Sequence, residues 1–385
     1  MDGILALEDG RFFRGHRFGA RLAPSDGSGA GEVVFNTSAQ GYQEILTDPS
    51  YVGQIVTLTS SHVGNYGVNR DDPESAAVRA AGLVVRDHHA HPSNWRADRS
   101  LDAELRDFGV PGLGAVDTRA LTIHLRDFGA QRAVIADWPV ASPLPLAGWA
   151  HLVPDSSELT PLIDRARALQ TMAGRDLAQT VTCTQLWTQG DADAKFHVVC
   201  LDFGIKRNII RQLVLHDCRA TLVPAHTDAA TILALRPDGV LLSNGPGDPE
   251  PVLQAQTTIA QLLGKVPIFG ICLGHQLLAL ALGGQTYKLK FGHRGGNHPV
   301  RDVETGRVEI TAQNHGFAVR ASSLDGRKVA ITHTNLNDDT VEGLRHRSLP
   351  AFSVQFHPEA APGPHDSHHL FGRFVASMAR FKAAK

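Results

Sequence analysis

Surplus charge of either sign is missing: 37 Lys and Arg face 39 Asp and Glu, a net charge of −2. With no basic field, neither nucleic acid nor an anionic membrane surface is an expected partner. Long apolar runs are missing too. None reaches the ~20 residues of a membrane span, and the opening MDGILALEDG does not read as a signal or transit peptide. Cysteine is rare, four in 385 residues, and none forms a CxxC pair. This excludes a disulfide framework, argues against a structural zinc site and fits a reducing cytoplasm. Cys183, Cys200 and Cys218 read as ordinary small residues. There is no GxxxxGK[ST] phosphate loop and no carboxylate cluster of the kind ATP chemistry needs. The glycine-rich run Ser25–Gly31 opens no helix and reads as a turn.

What is present is a chain 42% hydrophobic, long enough for two domains or three. Its 20 histidines cluster at His88, His89 and His91 and again at His365, His368 and His369. Both groups lack carboxylate or cysteine partners at metal-site spacing and read as solvated loops, so no metal site is expected.

The pattern changes near the middle. Residues 1–145 mix short β-type runs, such as 32–35, 54–58 and 82–85, with a single clear helix, Thr118–Phe128. They predict a separate mixed, β-rich domain. Ala141–Pro145 signals a linker, and the connecting region 146–194 is polar and weakly patterned. From 195 to 385 the order is regular at first. Strand-length apolar runs at 197–201, 220–224, 239–242 and 266–270 alternate with helical segments at 206–215, 228–235, 251–263 and 273–282. Continuous apolar strands are buried on both faces. Four strand–helix units in series predict an α/β fold with a doubly wound, mostly parallel sheet. Beyond 285 the runs look shorter and turn-rich.

Cys272 falls where one such strand ends and a helix begins, in Gly270-Ile-Cys-Leu-Gly274. A tight turn there crowds its neighbours, and glycines two residues to either side relieve the crowding, as in a nucleophile elbow. The helix N-terminus favours a thiolate and can stabilise an oxyanion. The pentapeptide alone fits a buried thiol equally well. A nucleophile needs a base and an orienting group, and Phe356-His357-Pro358-Glu359 offers both. The run to Phe356 reads as a strand, and an extended backbone puts His357 and Glu359 on one face. Ser243–Pro249 follows a buried strand as a loop, and Gln313–Phe317 reads as a turn.

GICLGHQ at 270–276, SNGPGDP at 243–249 and FHPE at 356–359 together resemble the three signatures of the class I, triad-type glutamine amidotransferases. Further stretches resemble the small subunit of carbamoyl-phosphate synthase across nearly the whole chain: FNTSAQGYQEILTDPSY at 35–51, TLTSSHVGNYG at 57–67, LDFGIKRNI at 201–209, FGHRGGNHPV at 291–300 and TAQNHGFAV at 311–319. The stretch from about 146 to 195 carries little of it. The resemblance implies that Cys272 attacks the glutamine side-chain amide, that His357 shuttles protons and that Glu359 orients His357. Ammonia would leave as a γ-glutamyl thioester forms and pass through a tunnel to a large subunit. That partner, in a heterodimer or an oligomer of heterodimers, would bind bicarbonate, ATP and Mg²⁺ and serve arginine and pyrimidine synthesis; no cofactor is implied for this chain. The family's glutamine-binding positions fall on Ser50, Gly245, Gly247, Leu273, Gln276, Asn314, Gly316 and Phe317, with the Gly245 and Leu273 N–H groups as the oxyanion hole. Ser50 lies in the N-terminal segment, so the resemblance sets the site near a domain interface.

Overall fold

The computed structural model describes residues 2–21, 29–138 and 156–384. The linker signal at Ala141–Pro145 and most of the glycine-rich run at 25–31 lie outside them. Contacts divide the chain into two units, and the division does not follow a single cut. Met1–Asn36, Gly53–Asp72 and Ala77–Thr171 form the first; Thr37–Val52, Pro73–Ala76 and Met172–Lys385 form the second. Ser50 therefore packs with the second unit, although its position in the chain is N-terminal.

The first unit is a closed barrel. Its strands are β1 (Asp2–Leu7), β2 (Phe12–Gly19), β3 (Ala30–Asn36), β4 (Gln54–Leu58), β5 (Gly82–Val84), β6 (Pro111–Gly114) and β7 (Gln131–Asp137), joined in the order β1-β2-β6-β5-β4-β3-β7. Closure pairs every strand on both sides and leaves no open edge. Leu5, Leu7, Val33, Ile55, Val84, Leu113 and Ile135 fill its core with Leu121 and Leu125 of the Thr118–Phe128 helix. That helix has the bounds its periodicity predicts. A second helix, Leu101–Asp107, was not expected. Its signal is local: Ser100 Oγ accepts from Ala103 N–H, and Asp102 and Glu104 occupy the first turn.

The region read as a connecting segment contains a helix at Ser156–Ala168 that carries Pro161 inside it. The proline hides the helical pattern, because it removes a donor and normally breaks a helix. Ala166 nevertheless buries itself against Ala6 and Val134.

The second unit carries a ten-stranded sheet: β8 (Trp187–Gln189), β9 (Phe196–Asp202), β10 (Cys218–Pro224), β11 (Gly239–Leu242), β12 (Ile268–Ile271), β13 (Thr286–Asp302), β14 (Val308–Val319), β15 (Val329–Asn335), β16 (Val341–His346) and β17 (Ala351–Val354). The order is β8-β10-β9-β11-β12-β17-β16-β15-β13-β14. The run β10-β9-β11-β12-β17 is parallel; the flanking strands pair antiparallel. Helices α1 (Arg207–Leu215), α2 (Ala229–Ala234), α3 (Leu253–Leu262), α4 (Leu273–Ala281) and α5 (His369–Ala383) cover both faces. Val199, Leu201, Val240, Leu242 and Ile268 meet α2, α3 and α4 on one side. Val198, Cys200, Leu241, Phe269 and Ile271 meet α1 and α5 on the other. Alternate residues of one strand thus enter two cores, which is why these runs are continuously apolar.

The turn-rich reading beyond 285 is corrected. β13 and β14 form a hairpin of 17 and 12 residues. Register shifts between Lys288 and His293 and between Gly295 and His298 break its alternation, which is what made the segment look like short pieces. Gln313–Phe317 is accordingly strand, not turn. None of the described helices is long and apolar enough to cross a membrane.

Close backbone approach positions α4. A Cβ on Gly274 would overlap the Leu242 carbonyl oxygen, and one on Gly270 would stand 2.7 Å from the Gly274 oxygen. We expect Gly274→Ala to cost about 1–3 kcal/mol, as overpacking does. Gly326→Ala, where a Cβ meets nothing within 4 Å, should stay within about 0.5 kcal/mol. Urea unfolding of the two variants compares them directly.

Candidate active site

Cys272 caps α4 with φ 53° and ψ −103°. A non-glycine residue rarely holds a positive φ, and such strain persists only where the surroundings impose it. They do here. Cys272 N–H donates to Val354 O at 2.9 Å and Gly274 N–H to Ser243 O at 3.0 Å. His275 and Gln276 N–H both return to the Cys272 carbonyl, at 3.0 and 3.2 Å. The side chain is buried, and its sulfur lies 3.5 Å from Asn314 O. The other three thiols stand apart from this arrangement. Burial raises Cys183 and Cys218 to about 12 and pushes Cys200 upward, so all three stay protonated.

His357 follows β17, which ends at Val354. The expected extended backbone is replaced by a turn: Ala360 N–H donates to His357 O at 3.1 Å. Ala360 and Ala361 hold φ of 58° and 57°. The turn still puts both side chains together. His357 Nδ1–H donates to Glu359 Oε1 at 2.7 Å, the carboxylate fixing the tautomer. Nε2 has no hydrogen bond of its own. Burial opposes a charge on His357, but Glu359 and then Cys272 outweigh it and hold the imidazole at about 10. His275, the other histidine beside the elbow, differs. Its Nδ1 meets Ser353 Oγ at 3.0 Å, and burial lowers it to about 3.

Glu359 is itself held by a lysine that the motifs did not single out. Lys206 Nζ donates to the same Oε1 at 2.9 Å and to Ala360 O at 2.5 Å. Asn208 Nδ2 donates to Glu359 O at 2.5 Å. Burial alone would raise Glu359; Lys206 and His357 hold it down to about 2. Lys206 stays charged because Glu359, Glu74 and Asp48 offset its burial. Glu74 accepts from Asn208 N–H at 2.9 Å, and burial lifts it to about 7.

The remaining predicted residues converge on the same ground. Ser50 Oγ accepts from Asn244 Nδ2 at 3.0 Å, and Asp48 accepts from Ser50 N–H at 2.9 Å and from Asn314 Nδ2 at 2.9 Å. Gly245 lies against Leu273: a Cβ there would stand 2.9 Å from Leu273 Cδ2. Gln276 Nε2 donates to Phe317 O at 2.8 Å and to Gln355 Oε1 at 3.1 Å. Gly316 sits by Arg294. Gly247 turns with φ 88°, and a Cβ there would meet Arg175 O and Leu177.

A family model for class-I glutamine amidotransferase matches residues 199–377, and one for the carbamoyl-phosphate synthase small chain, CPSase domain, matches residues 5–135. The carbamoyl phosphate synthase small chain of Syntrophotalea carbinolica is 53% identical over 393 residues, covering 99% of this chain and 98% of its own. The protein of the same name from Chlorobaculum tepidum is 51% identical over 385 residues, covering 99% of both. This chain belongs to the carbamoyl phosphate synthase small chain family. Its glutamine amidotransferase domain contains the cysteine elbow and the His357–Glu359 pair, and the small-chain domain contains the barrel.

Lys206, Asp48 and Asn244 join this site without having been named as site residues. Each stands inside a quoted family stretch, in LDFGIKRNI, in TDPSY and in SNGPGDP, and only the folded contacts reveal its partner.

The paired charges set a pH window. Glu359 is depressed from 4.5 to about 2, so its stabilisation is complete above 4.5 and lost as pH falls towards 2. His357 is raised from 6.5 to about 10, so its contribution is complete below 6.5 and lost as pH rises through 10. Glu359→Gln leaves Lys206 buried without its carboxylate and should cost about 3–5 kcal/mol. The difference from wild type should peak near pH 5–6 and shrink towards pH 10. Denaturant titrations across that range check it.

Proposed function

We propose that this chain is the glutaminase subunit of a glutamine-hydrolysing carbamoyl phosphate synthase. The observation that carries the reading is the strained Cys272 elbow beside a histidine whose Nδ1 is committed to a buried carboxylate. In this scheme the proton of Cys272 rests on His357 Nε2, giving a thiolate–imidazolium pair, and the thiolate attacks the side-chain amide carbon of glutamine. The oxyanion forms against the N–H groups of Gly245 and Leu273 at the start of α4. His357 returns the proton to the leaving nitrogen, ammonia departs, and a γ-glutamyl thioester remains. Water, deprotonated by His357, attacks the thioester and releases glutamate.

Ser50, Asn314, Gly316, Phe317, Gln276 and Gly247 are the proposed glutamine-binding positions. For Gln276 the role is indirect: its amide holds the Phe317 carbonyl in place. Ser50 and Asn314 share Asp48 as acceptor, which fixes both relative to the elbow. Ammonia would pass through a tunnel to a large subunit that binds bicarbonate, ATP and Mg²⁺. The carbamoyl phosphate so formed would feed arginine and pyrimidine synthesis.

Two outcomes check the reading. Cys272→Ser should reduce glutamine hydrolysis by about three orders of magnitude or more and leave ammonia-dependent carbamoyl phosphate synthesis by the assembled complex largely intact. Hydrolysis at the wild-type rate would remove Cys272 from the role. The native partner, recovered by pull-down, should raise glutaminase activity when ATP and bicarbonate are present. Recovery of a GMP- or CTP-forming synthetase, with no response to bicarbonate, would contradict the proposal.

A further inference from the structure

Behind the strand that carries Asn314 and Gly316 is a buried group that glutamine hydrolysis does not use. His293 on β13 and His315 on β14 are directly opposed cross-strand partners, and Glu342 projects from β16. All three are more than nine-tenths buried. Each offers a ligand atom, and these atoms lie within 4.8 Å of one another, the one such cluster among the described residues. His293 Nδ1 is 3.7 Å from Glu342 Oε1. A tetrahedral site with bonds of 2.0–2.1 Å has edges of about 3.3 Å, so the His293–Glu342 edge needs to shorten by about 0.4 Å and the other edges by at most about 1.5 Å.

The outer contacts are what ligands require. His293 Nε2 meets Asp338 Oδ2 at 2.9 Å. His315 Nδ1–H donates to Phe317 O at 2.7 Å, which leaves the lone pair on Nε2. Glu342 accepts from Asn335 Nδ2 and from Gln313 Nε2, both at 2.9 Å. Metal-bound imidazoles characteristically donate their second N–H to a carboxylate or a carbonyl, and ligating carboxylates are themselves hydrogen-bonded. Meanwhile His293 Nδ1 and His315 Nε2 have no hydrogen-bond partner although buried. His298, with its ring 5.3 Å from that of His293, adds another unpartnered Nδ1 at the rim. Arg294 is the opposing charge nearby, against the two carboxylates Asp338 and Glu342.

We propose that His293 Nδ1, His315 Nε2 and Glu342 form a binding site for a divalent transition ion, with Zn²⁺ favoured by two imidazoles, one carboxylate and no thiolate. The ion takes two neutral imidazoles and one carboxylate as ligands and displaces any proton held between them. Ligation pins His315 between Asn314 and Gly316. It also fixes the Phe317 carbonyl, which His315 and Gln276 share. The site braces this strand on the face opposite the Asn314 side chain.

Zn²⁺ is the probe. Full-length chain, stripped with a chelator, is titrated calorimetrically. The expected result is one Zn²⁺ per chain, with affinity lowered at least about tenfold by His315→Gln and by Glu342→Gln. Zn²⁺ should raise the unfolding midpoint of wild type and not those of the variants. X-ray absorption on the wild-type complex covers the case of a variant that does not fold; it should show two imidazoles and only N/O ligands. No uptake by wild type, uptake unchanged in both variants, loss instead in His365→Ala/His368→Ala, or a sulfur ligand would each overturn the proposal.

Discussion

One carboxylate oxygen, Glu359 Oε1, accepts from two buried cations at once, His357 and Lys206. The site depends on this sharing. Removing two charges from water is costly unless each is closely paired, and here three groups settle the cost among themselves. His357 is oriented through Nδ1 and keeps its proton, Glu359 stays ionised, and Lys206 anchors the carboxylate to the start of α1. Glu74 and Asp48 complete the charge balance around Lys206.

The second constraint is steric. Parallel strands β11, β12 and β17 end at one edge of the sheet, and α4 must start within a residue of β12. The chain meets that geometry by forcing Cys272 to positive φ and by leaving no Cβ at Gly270 and Gly274. The strain and the charge relay come from separate segments, 268–276 and 353–360. They are joined by the β12–β17 pairing and by Cys272 N–H donating to Val354 O. A sheet defect between those strands would therefore separate the proposed nucleophile from its base.

Much of this was legible before folding. Continuous apolar runs marked the buried parallel strands, and the alternation with helices gave the doubly wound layer. GICLG marked the elbow because strand, glycines and helix coincide there. The remainder failed for identifiable reasons. The β13–β14 hairpin carries two register shifts and a glycine-rich bend, so its period is broken. Pro161 masked a helix. His357 and Glu359 were paired correctly by separation but through the wrong backbone, since a turn at i, i+2 brings side chains together as an extended segment would. Lys206 lacked any local signal, because its partner lies 153 residues away. Ser50 was assigned by chain position, whereas Asp48 and Asn244 tie it to the second unit.

The central claim is that Cys272, and no other thiol, carries the acyl group of glutamine. Rapid quenching of the complex during glutamine turnover, followed by peptide mass spectrometry, tests it most directly. The account predicts a γ-glutamyl adduct on the peptide containing Cys272, absent from Cys272→Ser. An adduct on Cys183, Cys200 or Cys218, or turnover with no thioester on any cysteine in either pre-steady or steady state, would contradict it.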